Sequence, residues 1–324
     1  MATTSLSIFS SYPYEPLYSP SDPSTPIAHH KPLIPYLSDN PHPLQSLSFY
    51  LPYTSSIPSP SYLPTDNNNK TYILYIHGGA WRDPLISSTS IQPTISSLFS
   101  SPSLPTNLSG IISLNYRLSP HPSHPDIIPP NKAKHPDHIS DILSALKFLH
   151  QLGISPRIII GHSCGATLAF QSVMNPSRFG LSPSLEVKNK PEVIIGVNGL
   201  YDLAGFIESP PKGFEGLKGG YQEFVEGAFG ESKKIWKEVC PTSCEKGWVK
   251  EWNEGKKVVL VQSEEDGLVP REQLVGFRKR IEEEEEGGLE VGEVDGEGWG
   301  EHDDVWKNGK KLAGLVREVL KGLE

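Results

Sequence analysis

The chain has 324 residues, 36% hydrophobic and 21% charged, which suits one large domain or two small ones and excludes a disulfide-stapled mini-protein. No apolar run approaches the roughly 18 residues of a membrane-spanning helix, and a formal net charge of -9 leaves no basic footprint for nucleic acid or anionic lipid. The composition is divided: 23 of the 31 prolines lie in residues 1–136 and 26 of the 29 glycines lie after them, so the chain is either two domains or one domain with early Ser/Pro-rich connections.

Residues 1–44 lack the basic start and apolar run of a secretory signal and contain no arginine, unlike a mitochondrial presequence. They are expected to form a flexible leader or an arm draped over the fold, with a single domain over residues 45–324. Gln45 to Leu51 alternates as a half-buried strand does. Thr71 to Ile76, Gly110 to Leu114, Arg157 to Ile160, Glu192 to Val197 and Lys257 to Val261 are apolar on both faces, as in a parallel sheet covered on both sides. Helical stripes run over His138 to Leu152, Gly165 to Met174 and Val305 to Leu323. The alternation predicts an α/β architecture with right-handed crossovers. Residues 203–254 interrupt it with Phe206, Phe214, Tyr221, Phe224, Phe229, Trp236, Trp248 and Trp252, which suits a helical cap over a cleft or an extra packed layer. The run Glu282 to Glu286 reads as the solvated end of a helix that starts near Pro270. Three cysteines, Cys164, Cys240 and Cys244, make no disulfide framework and favour a reducing cytoplasm; Cys240 and Cys244 lack the second pair that a metal clip needs.

The chemistry is carried by Ile158 to Ala166, an apolar strand running into Gly161-His162-Ser163-Cys164-Gly165 and then a helix. That is the context of a nucleophile elbow, with glycines flanking Ser163 because the strand-to-helix turn leaves no room beside it. Cys164 is a rival nucleophile by chemistry, but its position makes its backbone N–H the useful group, as one oxyanion donor. The strand Tyr72 to Ile76 ends in His77-Gly78-Gly79-Ala80-Trp81, and Gly78 and Gly79 are the expected further donors, with His77 bracing the loop. Of eleven histidines only His302 follows Ser163, so it is the base that the order Ser, Asp or Glu, His requires. Asp266, after the strand Val258 to Val261, is the orienting acid, with Glu264 and Glu265 as rivals.

With H-G-G-A-W, G-H-S-C-G-A, E-D-G-L-V-P and E-H-D-D-V in this order, the chain resembles the α/β-hydrolase superfamily from about residue 46 to its end. More narrowly it resembles the fungal type of kynurenine formamidase (arylformamidase). That likeness rests on the segments Tyr75 to Trp81 with Asp83 close behind, Asn115 to Pro120, His135 to Ile142 and Gly161 to Ala169. The resemblance implies hydrolysis of N-formyl-L-kynurenine to L-kynurenine and formate, a step of tryptophan breakdown toward NAD, by a cytoplasmic or nuclear homodimer with no cofactor and no metal. Trp81 would brace the oxyanion loop, and Arg82 and Asn115 are the candidates for the amino-acid end of the substrate. The sequence departs from the family in the leader, in the Ser/Pro-rich stretch around residues 87–107 and in an insertion at Ser123 to Lys134.

Two other readings share these residues. A carboxylesterase of the H-G-G lipase type differs only in its pocket, and an inactive binding protein on the same scaffold would be expected to lack a triad member. The pairs His121/His124 and His135/His138 suggest a metal-dependent enzyme, yet they sit among prolines without clustered carboxylates. Because residue 77 lies in the proline-rich part and the nucleophile, acid and base lie in the glycine-rich part, one site draws on both and a single domain spans the divide.

Overall fold

The computed structural model describes residues 4–64, 71–125, 130–284 and 288–323. Nine strands form one sheet: β1 Glu15–Ser19, β2 Asp22–Pro35, β3 Ser46–Pro52, β4 Thr71–Ile76, β5 Leu108–Leu114, β6 Ile158–His162, β7 Val193–Val197, β8 Lys257–Val261 and β9 Glu290–Val294. Their spatial order is β1-β2-β3-β5-β4-β6-β7-β8-β9. From β5 to β9 every pairing is parallel, and β1, β2 and β3 extend the sheet in antiparallel fashion.

Eleven helices accompany the strands among the described residues. Ahead of β7 come α1 Ser5–Ser10, α2 Gln92–Phe99, α3 Asp137–Gln151 and α4 Cys164–Gln171. An insertion between β7 and β8 holds α5 Leu203–Glu208, α6 Lys218–Phe229, α7 Lys233–Val239 and α8 Trp248–Glu251, and the chain ends with α9 Glu272–Glu284, α10 Asp304–Asn308 and α11 Lys310–Lys321. The period of two along each strand divides the core. Leu74, Ile76, Ile159 and Leu260 face α3, α4 and α9, while Ile73, Tyr75, Ile160 and Val261 face α2 and α11. This is the α/β architecture that the alternation of apolar strands and helical stripes anticipates, in the form that the resemblance to the α/β-hydrolase superfamily implies.

The expected leader needs correction. From Ser5 onward it belongs to the fold, and no boundary falls at residue 45, because β2 pairs along β3. Its prolines conceal strands: Pro26 lies opposite Tyr18, where the β1–β2 register shifts, and Pro32 lies in the irregularity between Lys31 and Ile34. A residue without an N–H is tolerated where the ladder is already broken. Phe9 of α1 is fully buried with its ring 5.1 Å from Phe49, and Lys31 Nζ donates to the Phe9 carbonyl at 3.1 Å while standing 3.7 Å over the Phe9 ring. The end of the five-glutamate run, at Glu285 and Glu286, and part of the Ser123 to Lys134 stretch lie outside the described residues. No helix among the described residues is long and apolar enough to cross a membrane.

Candidate active site

Four loops meet beyond the carboxyl ends of β4, β6, β8 and β9, where ligands bind in open α/β sheets. β6 stops at His162 and α4 starts at Cys164, leaving Ser163 alone at the turn with φ 55° and ψ -125°. A non-glycine residue held there is strained, which is how an elbow projects its side chain. The flanking glycines answer close approaches: a Cβ on Gly165 would lie 2.3 Å from the Ile76 carbonyl oxygen, and one on Gly161 would lie 2.4 Å from that of Gly165.

After β4 the loop turns with positive φ at Gly79, Ala80 and Trp81. A Cβ on Gly78 would stand 3.0 Å from the Ser163 Cβ, so the loop passes directly beside the serine. Trp81 N–H donates to Cys164 Sγ at 3.3 Å, and the Tyr116 hydroxyl donates to the carbonyls of His77 and Gly78 at 3.1 and 3.2 Å. In a planar trans peptide the N–H points opposite to the carbonyl of the same unit. Tyr116 therefore holds the back of the two units whose N–H groups belong to Gly78 and Gly79. Those N–H groups, and that of Cys164, make no hydrogen bond to any described residue. Burial pushes the Cys164 thiol up to about 11, against the pull of its donors, so at neutral pH it is not a thiolate nucleophile.

His302 follows β9 in a loop with positive φ at Gly298 and Gly300. Its Nδ1 meets Asp266 Oδ2 at 2.8 Å. Asp266 also accepts from Gln262 Nε2 at 3.0 Å and from the backbone N–H groups of Leu268 and Val269 at 2.8 and 2.9 Å. Burial alone would raise this carboxyl, but the His302 contact and the two N–H donors outweigh it and hold it below the usual range. The rivals are elsewhere engaged: Glu265 Oε2 accepts the Gly300 N–H at 2.7 Å, and Glu264 is exposed. Ser163 and His302 line one cavity of about 330 Å³ without a hydrogen bond between them; such contacts often tighten only when substrate binds.

The other expected residues divide. His77 is buried, stacked on Tyr116 with centroids 4.5 Å apart and bonded from Nδ1 to the Gly78 carbonyl at 2.8 Å. Burial pushes it down to about 4, so it braces the loop as a neutral ring. Trp81 is buried, edge-on to Phe229 at 4.9 Å. Arg82 lines the cavity. Asn115 does not reach it: Oδ1 accepts the Ser88 N–H at 2.7 Å and Nδ2 donates to Ser46 Oγ at 3.3 Å, so this side chain ties β3 to the turn after residue 87. Of the aromatic residues in the insertion, Phe206, Tyr221 and Phe224 line the cavity, whereas Trp248 packs in the core against Phe277.

Among the described residues, one group could hold a metal: His162, His302 and Asp303, whose ligand atoms lie within 4.8 Å of one another. His162 Nε2 is bonded to the His302 carbonyl at 2.9 Å and His302 Nδ1 to Asp266, so a metal here would take the imidazole nitrogen that a base needs. His135 and His138 pack on Phe229 instead of forming a ligand pair, and His121 and His124 lie ring to ring at 5.0 Å. The sequence reading missed Tyr116, His162 and Asn198. Tyr116 stood within a quoted motif; Asn198 carried no signal beyond following β7.

The BD-FAE family model matches residues 61–281. The chain is 34% identical to the kynurenine formamidase-like hydrolase fscH of Fusarium equiseti, over 80% of this chain and 86% of that protein. It is 32% identical to the kynurenine formamidase avaC of Aspergillus versicolor, over 75% and 86%. Among solved structures, esterase B of Lactobacillus rhamnosis superposes with a TM-score of 0.60 at 16% identity, covering 92% of this chain and 86% of that one.

Proposed function

Because the chain belongs to the BD-FAE family of α/β-hydrolases and stands among relatives named kynurenine formamidase, we propose that it is a serine hydrolase cleaving N-formyl-L-kynurenine to L-kynurenine and formate. The observation that carries the reading is one cavity faced by Ser163 and by His302 bonded to Asp266, with three N–H groups beside the serine, of Gly78, Gly79 and Cys164, that find no partner among the described residues. His302 Nε2 takes the Ser163 proton and the alkoxide adds to the formyl carbon. The oxyanion rests on the three N–H groups, a set already oriented before the charge develops. Collapse breaks the C–N bond as His302 returns the proton to the anilinic nitrogen. Water, deprotonated by His302, then attacks the formyl-serine and releases formate, restoring the Ser163 hydroxyl. Asp266 keeps the imidazole oriented and stabilises its charged form. His77 and Trp81 brace the donor loop, and Phe206, Tyr221 and Phe224 offer faces to the aryl ring. A homodimer working in the cytoplasm, in tryptophan breakdown toward NAD and without a metal, completes the reading.

The test gives purified protein N-formyl-L-kynurenine and a short-chain p-nitrophenyl ester in parallel, with Ser163→Ala and a chelator as further arms. Expected are a higher kcat/KM for the formamide, loss of turnover in Ser163→Ala and no effect of chelation. Preference for the ester would make this a carboxylesterase, activity in the serine variant would refute the mechanism, and loss to the chelator would point to a metal.

A further inference from the structure

We propose that the ion pair between Arg82 and Glu223 is the recognition site for the charged head of an α-amino acid, each partner taking the opposite pole of the zwitterion. The inference rests on the formamidase reading and deepens it.

Arg82 directly follows the oxyanion loop, and its N–H donates to the Gly79 carbonyl at 2.9 Å, which ties its position to the donor units. Its side chain lines the cavity that holds Ser163. Nη1 donates to Glu223 Oε1 at 3.1 Å across to α6 of the insertion, and the guanidinium stands 5.7 Å from the Phe224 ring centre. Nε and Nη2 make no hydrogen bond to any described residue. The pair is thus bound through one nitrogen only, with Glu223 more than half exposed. Such a pair adds little to stability. A guanidinium with two unused donors is, however, suited to grip a carboxylate in fork fashion.

The charges argue for a zwitterion in particular. A lone carboxylate on the free donors of Arg82 would set two anions against one guanidinium; a lone ammonium at Glu223 would set two cations against one carboxylate. An α-amino acid carries both charges on neighbouring atoms, so its carboxylate takes Nε and Nη2 of Arg82 while its ammonium pairs with Glu223. The addition is electroneutral, and no charge is left without a partner. The cavity that Ser163 and Arg82 share is also lined by Phe206, Tyr221 and Phe224. That combination of reacting serine, aromatic faces and charged pair suits a formylated aryl amine that carries an amino acid. A simple ester or arylformamide makes neither charged contact, so the pair sets specificity for substrate and leaves the chemistry at Ser163 alone.

The experiment compares kcat/KM for N-formyl-L-kynurenine with that for 2'-formamidoacetophenone, which keeps the ring, ketone and formamide and lacks the amino-acid head. In Arg82→Ala and in Glu223→Gln the ratio of the two should fall about tenfold or more, through KM for the amino acid, as the loss of a charge-assisted contact implies. If the wild type hydrolyses N-formyl-L-kynurenine and both variants keep its ratio, the clamp is refuted while the formamidase reading stands. A wild type without activity on N-formyl-L-kynurenine overturns the formamidase reading itself.

Discussion

On the proposed mechanism, Tyr116→Phe isolates what holds the oxyanion donors in place. The ring is fully buried and stacked on His77, and the substitution keeps that stacking, so only the hydroxyl is lost. That hydroxyl serves the carbonyls of His77 and Gly78, at 3.1 and 3.2 Å, and lies 3.6 Å from Cys164 Sγ. The Gly78 carbonyl retains His77 Nδ1, whereas no other hydrogen bond outside the strand ladders is recorded to the His77 carbonyl from the described residues. Leaving one buried acceptor bare should cost about 1–3 kcal/mol of stability. The effect on catalysis has a different origin. Both peptide units lose the one shared donor that fixes their N–H direction, and at about 1 kcal/mol net for a single hydroxyl donor the transition state loses about 1 kcal/mol, a fall of about fivefold in kcat. That is smaller than the roughly 100- to 1,000-fold lost when an oxyanion donor is removed outright, because the N–H groups remain and only their aim relaxes. The oxyanion does not exist in the ground state, so KM should hold. Steady-state kinetics on N-formyl-L-kynurenine, with a thermal melt of the same preparation, separate the two effects. A variant that melts lower yet keeps wild-type kcat would refute the positioning role and leave Tyr116 a packing residue.

Two further outcomes follow from the same geometry. Asp266→Asn should lower kcat by about four orders of magnitude with little change in KM, since an amide disturbs the tautomer of His302; a loss below tenfold in steady-state assays would show that another acid orients the base. Acid should destabilise the fold well before its carboxylates titrate. Burial holds His77 and His135 down at about 4 and His138 and His162 down at about 3, against an ordinary value of 6.5. The unfolded chain takes up protons below 6.5 that the folded chain refuses, so these residues contribute full stability above that pH and lose it as pH falls toward 4 and then 3. The urea midpoint should be lower at pH 5 than at pH 7.5, and an equal or higher midpoint at pH 5 would contradict the neutral assignment.

The parts of this fold that show in the sequence are those with a strong local cause. β4, β6, β7 and β8 are buried on both faces, so they read as unbroken apolar runs, and their observed limits differ from the expected ones by two residues at most. The elbow is legible because Gly161 and Gly165 answer backbone contacts that no side chain could share. β1 and β2 were hidden because their prolines carry the signature of a loop, and only the register shows that those prolines fall where pairing is irregular. Arg82 and Asn115 had equal standing as candidates by sequence. Their fates differ because Asn115 follows β5 at its junction with β3, where a backbone N–H and a hydroxyl engage both ends of its amide, while Arg82 continues the loop that lines the cavity. Glu223 could not be linked to Arg82 at all, since 141 residues separate them and one exposed glutamate among many has no distinguishing pattern.

The site also relies on contacts that secondary-structure patterns do not foreshadow, and these explain how four loops behave as one object. The His302 carbonyl accepts His162 Nε2 at 2.9 Å and Asn198 Nδ2 at 3.3 Å, and Asn198 Oδ1 accepts the Ser263 N–H at 2.9 Å. The residue before Ser163, the loop after β7 and the loop that carries Asp266 are therefore bonded to one another through the backbone of His302. The insertion joins the same network, because the Tyr221 hydroxyl donates to the Leu268 carbonyl, and the N–H of Leu268 is one of the donors that hold Asp266. A substrate that presses on Tyr221 thus acts on the acid through a single residue. Since orienting groups work only when held to within about half an ångström of the productive geometry, these cross-ties are what allow loops to do the work of a rigid element.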